Sequence, residues 1–193
     1  NGNAGAGITA AAISFGGGTG PVPTYRNTSY TYDGTSWTGA PALPFTFSLG
    51  GGCGTQTACI GGGGDGNAPG AVAIFNGTSW TATPTLGKNG YQGQFVGTTT
   101  AAVAAGLYYD SSAQEWDGST WADPGAAMPT HVYACSAAGT ATDGVWIGGY
   151  TVSGGSAVAL VQKYNGTSWT TGTAMPGTGV PSTLSSGGSP TDN

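Results

Sequence analysis

The 193-residue chain carries 6% charged residues, 39 glycines and a formal net charge of −5. Charge this sparse lies far below the roughly 25% of an ordinary soluble domain, and the 38% hydrophobic content with six Trp and nine Tyr excludes a disordered, aromatic-poor chain. Three basic residues, Arg26, Lys88 and Lys163, cannot track a phosphate backbone. No apolar run reaches the ~20 residues that span a bilayer, so neither nucleic acid nor a membrane span is expected.

The N-terminal segment 2–7 is Gly- and Ala-rich and reads as poor strand material. The first apolar run is Ala12-Ile13-Ser14-Phe15, closed by Gly16-Gly17. A variable loop (19–24) and Tyr25 follow, and the chain then turns at Tyr32-Asp33-Gly34-Thr35-Ser36-Trp37. Asp-Gly and Asn-Gly accept the positive φ angles of a type I′ turn, so this stretch predicts a hairpin tip. The order repeats. The second unit has Cys59-Ile60-Gly61-Gly62, a loop with Asp65, and Phe75-Asn76-Gly77-Thr78-Ser79-Trp80. The third has Ala102 to Leu107, a loop with Tyr108 and Tyr109, and Trp116-Asp117-Gly118-Ser119-Thr120-Trp121. The fourth has Val145-Trp146-Ile147-Gly148-Gly149, a loop opened by Tyr150, and Tyr164-Asn165-Gly166-Thr167-Ser168-Trp169.

Trp37, Trp80, Trp121 and Trp169 thus recur every 41–48 residues, a period that points to a propeller or solenoid with strand-like units. Linkers through Pro44, Pro84, Pro129 and Pro176 lead to predicted first strands at 45–49, 92–97 and 131–137. The units fall at roughly 1–43, 44–86, 87–128 and 129–175, as one domain. Segment 176–193 is expected to hold a closing strand at 182–186, pairing beside the 11–15 run of the first unit and removing an exposed edge.

An apolar strand ending in Gly-Gly, a separated Tyr and Trp, and a proline-containing linker together resemble the kelch repeat. Gly16-Gly17, Tyr32 and Trp37 match it, as do Gly148-Gly149, Tyr164, Trp169 and Met175-Pro176. The second unit carries Phe75 for Tyr, and the third replaces the Gly pair with Gly106-Leu107. The resemblance implies an all-β propeller of about four four-stranded blades. The Thr/Gly/Ala-rich, nearly uncharged wording is similar to kelch-like repeats of bacteriophage virion and tail-fibre proteins. That likeness implies a virion-associated or extracellular protein.

The four repeated tryptophans are expected to pack between neighbouring units, where large aromatics supply burial that a Gly/Ala core lacks. Trp146 stands in a second strand where the other units align Ser14, Cys59 and Ala104, and reads as core or channel lining. Cys53, Cys59 and Cys135 form no zinc spacing and read as buried apolar residues; a turn at Thr55-Gln56 would set Cys53 opposite Ala58. Glycoside hydrolysis needs two carboxylates facing one substrate, and the spacing of Asp65, Asp110 and Glu115 does not demand such a pair. His131 is the only histidine, and no nucleophile elbow, phosphate loop or metal-ligand pattern accompanies it. No catalytic residue, metal or cofactor is therefore assigned. The expectation is a non-enzymatic recognition module binding a host-surface glycan or protein through loop residues Tyr25, Asp65, Tyr108, Tyr109 and Tyr150. Other virion proteins and further copies of the chain are expected partners. A purely structural decoration or assembly subunit, a cytoplasmic-type adaptor and a polysaccharide hydrolase are the alternatives.

Overall fold

The computed structural model describes residues 2–19, 24–88 and 91–177, and these form strands, turns and bends with no helix among them. Four antiparallel sheets follow one another along the chain, each a four-stranded meander. The first comprises Asn3–Ile8, Ala11–Gly16, Ser29–Tyr32 and Trp37–Ala40, and the second Gly51–Gly54, Cys59–Gly62, Val72–Phe75 and Trp80–Ala82. The third comprises Gln94–Gly97, Ala102–Ala105, Gln114–Trp116 and Trp121–Ala122, and the fourth Ser136–Thr140, Asp143–Ile147, Val161–Tyr164 and Trp169–Thr171.

The first strand of the first sheet departs from expectation. Asn3–Ile8 fills it, with Ala4 opposite Phe15 and Ala6 opposite Ile13. The place beside Ala11–Gly16 proposed for a closing strand is thus taken on one side by Asn3–Ile8 and on the other by Ser29–Tyr32; segment 182–186 lies outside the described residues. Small side chains, poor by propensity, suit this position. The innermost strands of consecutive sheets lie against one another: Asn3–Ile8 on Gly51–Gly54, that on Gln94–Gly97, and that on Ser136–Thr140. Ala4 and Ala6 pack into the first junction core, whereas the corresponding strand of the third sheet brings Phe95 and Val96 to the second and third. Among the described residues no comparable contact joins Ser136–Thr140 back to Asn3–Ile8. The arrangement is compatible with a propeller-like fold; among the described residues the sheets form no closed ring.

The second sheet begins at Gly51–Gly54 and not at 45–49, because Phe47–Ser48 is taken by a separate short pairing with Asp65–Gly66. The fourth begins at Ser136–Thr140, later than 131–137, with Val132–Tyr133 drawn into a pairing with Tyr150–Thr151. Pairing also moves one sequence alignment by two residues. Tyr32 stands opposite Ala12, Phe75 opposite Cys59, Trp116 opposite Ala102 and Tyr164 opposite Gly144. Trp146 therefore matches Ser14, Gly61 and Ala104, and the equivalent of Gly16 in the second sheet is Gly63, while Gly61 and Gly62 lie inside the strand. The backbone agrees: Gly16, Gly63, Gly106 and Gly148 share φ values of 63–74°. This left-handed step sends each loop off the end of its second strand.

The hairpin tips form, but not as type I′ turns. The strands pair Tyr32 with Trp37, Phe75 with Trp80, Trp116 with Trp121 and Tyr164 with Trp169, which leaves four-residue loops. Only the Gly of each tip has positive φ, 87–97°. The Asx side chain replaces the second strained residue: its Oδ1 accepts backbone N–H groups two and three residues ahead at 2.8–3.0 Å in all four copies.

The core lies at the three junctions between sheets. Phe15, Phe47, Cys59 and Phe75 fill the first, Cys53, Ile60, Val72 and Phe95 the second, and Val96, Val103, Trp146 and Tyr164 the third. Cys53 stands opposite Ile60, and Cys59 opposite Gly54. The two thiols therefore serve different junctions and are not bonded to each other. Burial pushes the thiols of Cys59 and Cys135 up to about 12, as packing groups rather than nucleophiles. Buried glutamines tie linkers to third strands: Gln114 Oε1 accepts Gly87 N–H at 3.1 Å, and Gln162 Oε1 accepts Thr130 N–H at 2.8 Å. Trp80 packs across Phe15 of the first sheet with ring centroids 4.8 Å apart. Trp121 and Trp169 pack on the second and third junction cores. Trp37 does not follow them. It is 54% exposed, because among the described residues no neighbouring sheet packs over it.

Candidate functional site

The loops leaving the second strands carry the five residues singled out from the sequence, and the structure joins them into one row across the sheets. Short pairings hold the row in place: Gly18–Thr19 with Thr24–Tyr25, Asp65–Gly66 with Phe47–Ser48, and Val132–Tyr133 with Tyr150–Thr151. At one end the Tyr25 hydroxyl donates to Asp65 Oδ2 at 2.9 Å. Tyr91 comes next, within electrostatic reach of Asp65, and its ring stacks on Tyr108 with centroids 4.9 Å apart and planes 11° from parallel. Tyr109 meets both rings edge-on, at 5.6 and 4.9 Å. Tyr108 then meets Tyr133 at 4.5 Å, and Tyr133 stacks on Tyr150 at 5.8 Å, its register partner.

Tyr91 and Tyr133 were not singled out from the sequence. Both stand in linkers before first strands, where their spacing to the repeat carries no signal. Only the fold shows that linkers and loops meet at the same end: Tyr108 N–H donates to Tyr91 C=O at 3.0 Å, and His131 Nε2 lies 2.9 Å from Leu107 C=O. The single histidine thus fastens a linker to the third sheet's loop.

The row is a surface of half-buried ring edges with one prominent face. Tyr109 is 67% exposed, the most exposed large aromatic among the described residues. The hydrogen bond to Asp65 holds the Tyr25 hydroxyl above its ordinary value, and burial with Tyr109 beside it does the same for Tyr91. These phenols keep their protons throughout the neutral range and offer neutral donors.

The three carboxylates considered for hydrolysis each have a partner. Asp65 accepts from Tyr25. Asp110 accepts from Ser112 N–H at 2.7 Å and from the Ser112 hydroxyl, and it pairs with Lys88 at 3.4 Å, while Lys88 also reaches Asp123 at 3.5 Å. Burial pushes the Asp110 carboxyl up, and the Ser112 and Lys88 contacts outweigh it, leaving it below its ordinary value. Glu115 projects into the third junction and accepts from Tyr164 Oη at 2.6 Å. The structure does not gather these acids around one cleft.

No protein-family model matches the chain, and comparison with curated proteins gives no match either.

Proposed function

We propose that the chain is a non-enzymatic recognition module, built of kelch-like propeller blades, whose tyrosine row binds a neutral glycan on a host surface. The observation that carries this reading is the row itself. Six tyrosines from three separate loops and two linkers converge at one end, and the most exposed of them, Tyr109, contributes its ring to no junction core. Packing does not require such convergence. Electron-rich aromatic faces attract the polarised C–H face of a pyranose, and phenol hydroxyls bond its equatorial oxygens. Rigid, two-torsion tyrosines also lose little entropy when a ligand docks, which is why binding loops favour them. The net charge of −5 disfavours anionic ligands and leaves uncharged sugars as the fitting class. Sparse charge and dense hydrogen bonding suit a virion appendage or another extracellular setting, by analogy with the resemblance noted above.

The test is a glycan array followed by titration calorimetry with the full chain and with Tyr109→Ala. Tyr109 makes the cleaner probe, since Tyr108 sits among three other rings. The expected result is binding to a neutral oligosaccharide, weakened about tenfold, a loss of about 1.4 kcal/mol, with the melting temperature unchanged. A hit whose affinity ignores Tyr109, or no hit among neutral glycans, refutes the assignment. Release of reducing sugar would revive the hydrolase alternative.

A further inference from the structure

At each of the three junctions an aromatic pair of the later sheet, Phe75–Trp80, Trp116–Trp121 or Tyr164–Trp169, packs on the shared core, and the two ends of the row of sheets carry unmatched halves that resemble the first junction. At the first junction Phe15 of the earlier sheet lies over Gly52 and Gly61 of the later one, where a Cβ would stand 2.6 and 2.5 Å from its ring. Trp80 crosses Phe15 and donates from Nε1 to Ser29 Oγ at 3.2 Å. At this junction the earlier sheet offers bulky second-strand residues and the later sheet small inner residues flanked by an aromatic pair; at the second and third junctions the later sheet supplies the bulky residue, Phe95 or Trp146.

The first sheet carries the later-sheet half, and among the described residues no further sheet packs upon it. Register places Gly5, Gly7, Ala12, Ser14, Tyr30 and Tyr32 on that face. The Tyr32–Trp37 pair flanks it as Phe75–Trp80 flanks the second sheet, with ring separations of 5.1 Å in both. Tyr30 is 48% and Trp37 54% exposed. The fourth sheet carries the earlier-sheet half. Val145, Ile147, Val161 and Lys163 occupy the register positions of Ile13, Phe15, Ser29 and Thr31. Ile13, Phe15 and Ser29 are at most 2% exposed beneath the second sheet. Their counterparts Val145, Ile147 and Val161 remain half-buried, and Lys163, the counterpart of Thr31, is exposed.

The polar positions match as well. At the third junction Tyr164 Oη donates to Glu115, which occupies the same register position as Lys163 and Thr31. At the other two junctions the residue equivalent to Tyr164 is Phe75 or Trp116, opposite Thr31 or Ile74. The one tyrosine at this position within the three junctions thus meets the one charged residue, and Tyr32 would likewise meet Lys163. Trp121 and Trp169 keep buried Nε1 groups without a partner, where register offers Val72 and Ala113 in place of Ser29. Val161 is thus an admissible seat for Trp37.

We propose that these two faces bind each other between two copies of this chain, head to tail. Trp37 of one copy lies over Ile147 and Val161 of the next, and Lys163 Nζ donates to Tyr32 Oη. A second copy is the occupant because one chain carries both halves of the junction. The contact is heterologous, so it makes a ring if its rotation closes and a filament if it does not.

Native mass spectrometry and sedimentation of the full chain test this. The expected result is association that rises with concentration. Trp37→Ser removes one half of the contact and Ile147→Asp the other, so each variant alone is monomeric. Mixed, they form a one-to-one heterodimer, since one intact half remains on each. Should Ile147→Asp unfold the chain by circular dichroism, Lys163→Glu replaces it, with at least a tenfold loss of affinity expected. A wild type that stays monomeric at every concentration overturns the proposal. Failure of the mixed variants to pair overturns it too. So does a monomer in which acrylamide quenching shows Trp37, by difference from Trp37→Phe, to be shielded, because the chain would then cover its own face.

Discussion

Trp37 and Trp80 are the same residue of the repeat in two surroundings, and replacing each by Ala separates burial from local structure. Trp80 lies across Phe15, pairs with Phe75 at 5.1 Å and hydrogen-bonds Ser29. Removing about 150 Å² of buried apolar area at ~25 cal/mol/Å² costs about 4 kcal/mol, within the roughly 3–5 kcal/mol typical of Trp→Ala. Trp37 keeps only its pairing with Tyr32 at 5.1 Å, worth about 1 kcal/mol. For a chain of this size 1 kcal/mol moves the melting temperature by roughly 2–4 °C, so Trp80→Ala should fall by about 10 °C and Trp37→Ala by about 3 °C. Urea unfolding at low protein concentration, followed by circular dichroism, measures both without self-association. Equal losses would refute the reasoning, since they would mean that the hairpin itself, and not the junction, sets the contribution of the tryptophan.

Gly52→Ala places a Cβ 2.6 Å from Phe15 Cζ; overpacking of this kind costs about 1–3 kcal/mol, and Phe15→Leu in the same chain should restore part of it in a double-mutant cycle. Backbone hydrogen bonds from Thr120, with the Ser119 contacts, hold the Asp117 carboxyl down to about 2. Its unfolded value is about 3.9, so the stability it lends is present above that pH and lost as pH falls toward 2. Asp117→Asn keeps the accepting Oδ1, as Asn76 and Asn165 do in sister turns, and should flatten acid unfolding in that window; an unchanged acid limb would refute the assignment. Burial, then the hydrogen bond to Glu115, raises the Tyr164 hydroxyl above its ordinary value. That contribution is present below pH ~10 and lost as pH rises further. Tyr164→Phe should therefore cost about 1–2 kcal/mol at neutral pH and flatten the alkaline limb, which thermal melts from pH 8 to 12 would show.

Repetition made the sheets legible in the sequence. Each aromatic-Asx-Gly stretch announced a hairpin, because an Asx side chain and a positive-φ Gly close a tight loop wherever they occur. Tyr25, Asp65, Tyr108, Tyr109 and Tyr150 were legible as loop residues for the same local reason. Position along the chain said nothing of Tyr91 and Tyr133, which join the row only because linkers and loops leave the sheets at one end. Composition misled at Asn3–Ile8, where Gly and Ala argued against a strand that pairing with Ala11–Gly16 and packing against Gly51–Gly54 in fact hold. It misled again at Gly61 and Gly62. Four consecutive glycines at 61–64 leave the register free in sequence, and pairing with Val72–Phe75 decides it. The sequence alone determined which residues turn and which alternate, since those choices depend on neighbours a few positions away. Tertiary structure alone decided that Trp80 is covered and Trp37 is bare, because burial belongs to the sheet that packs alongside.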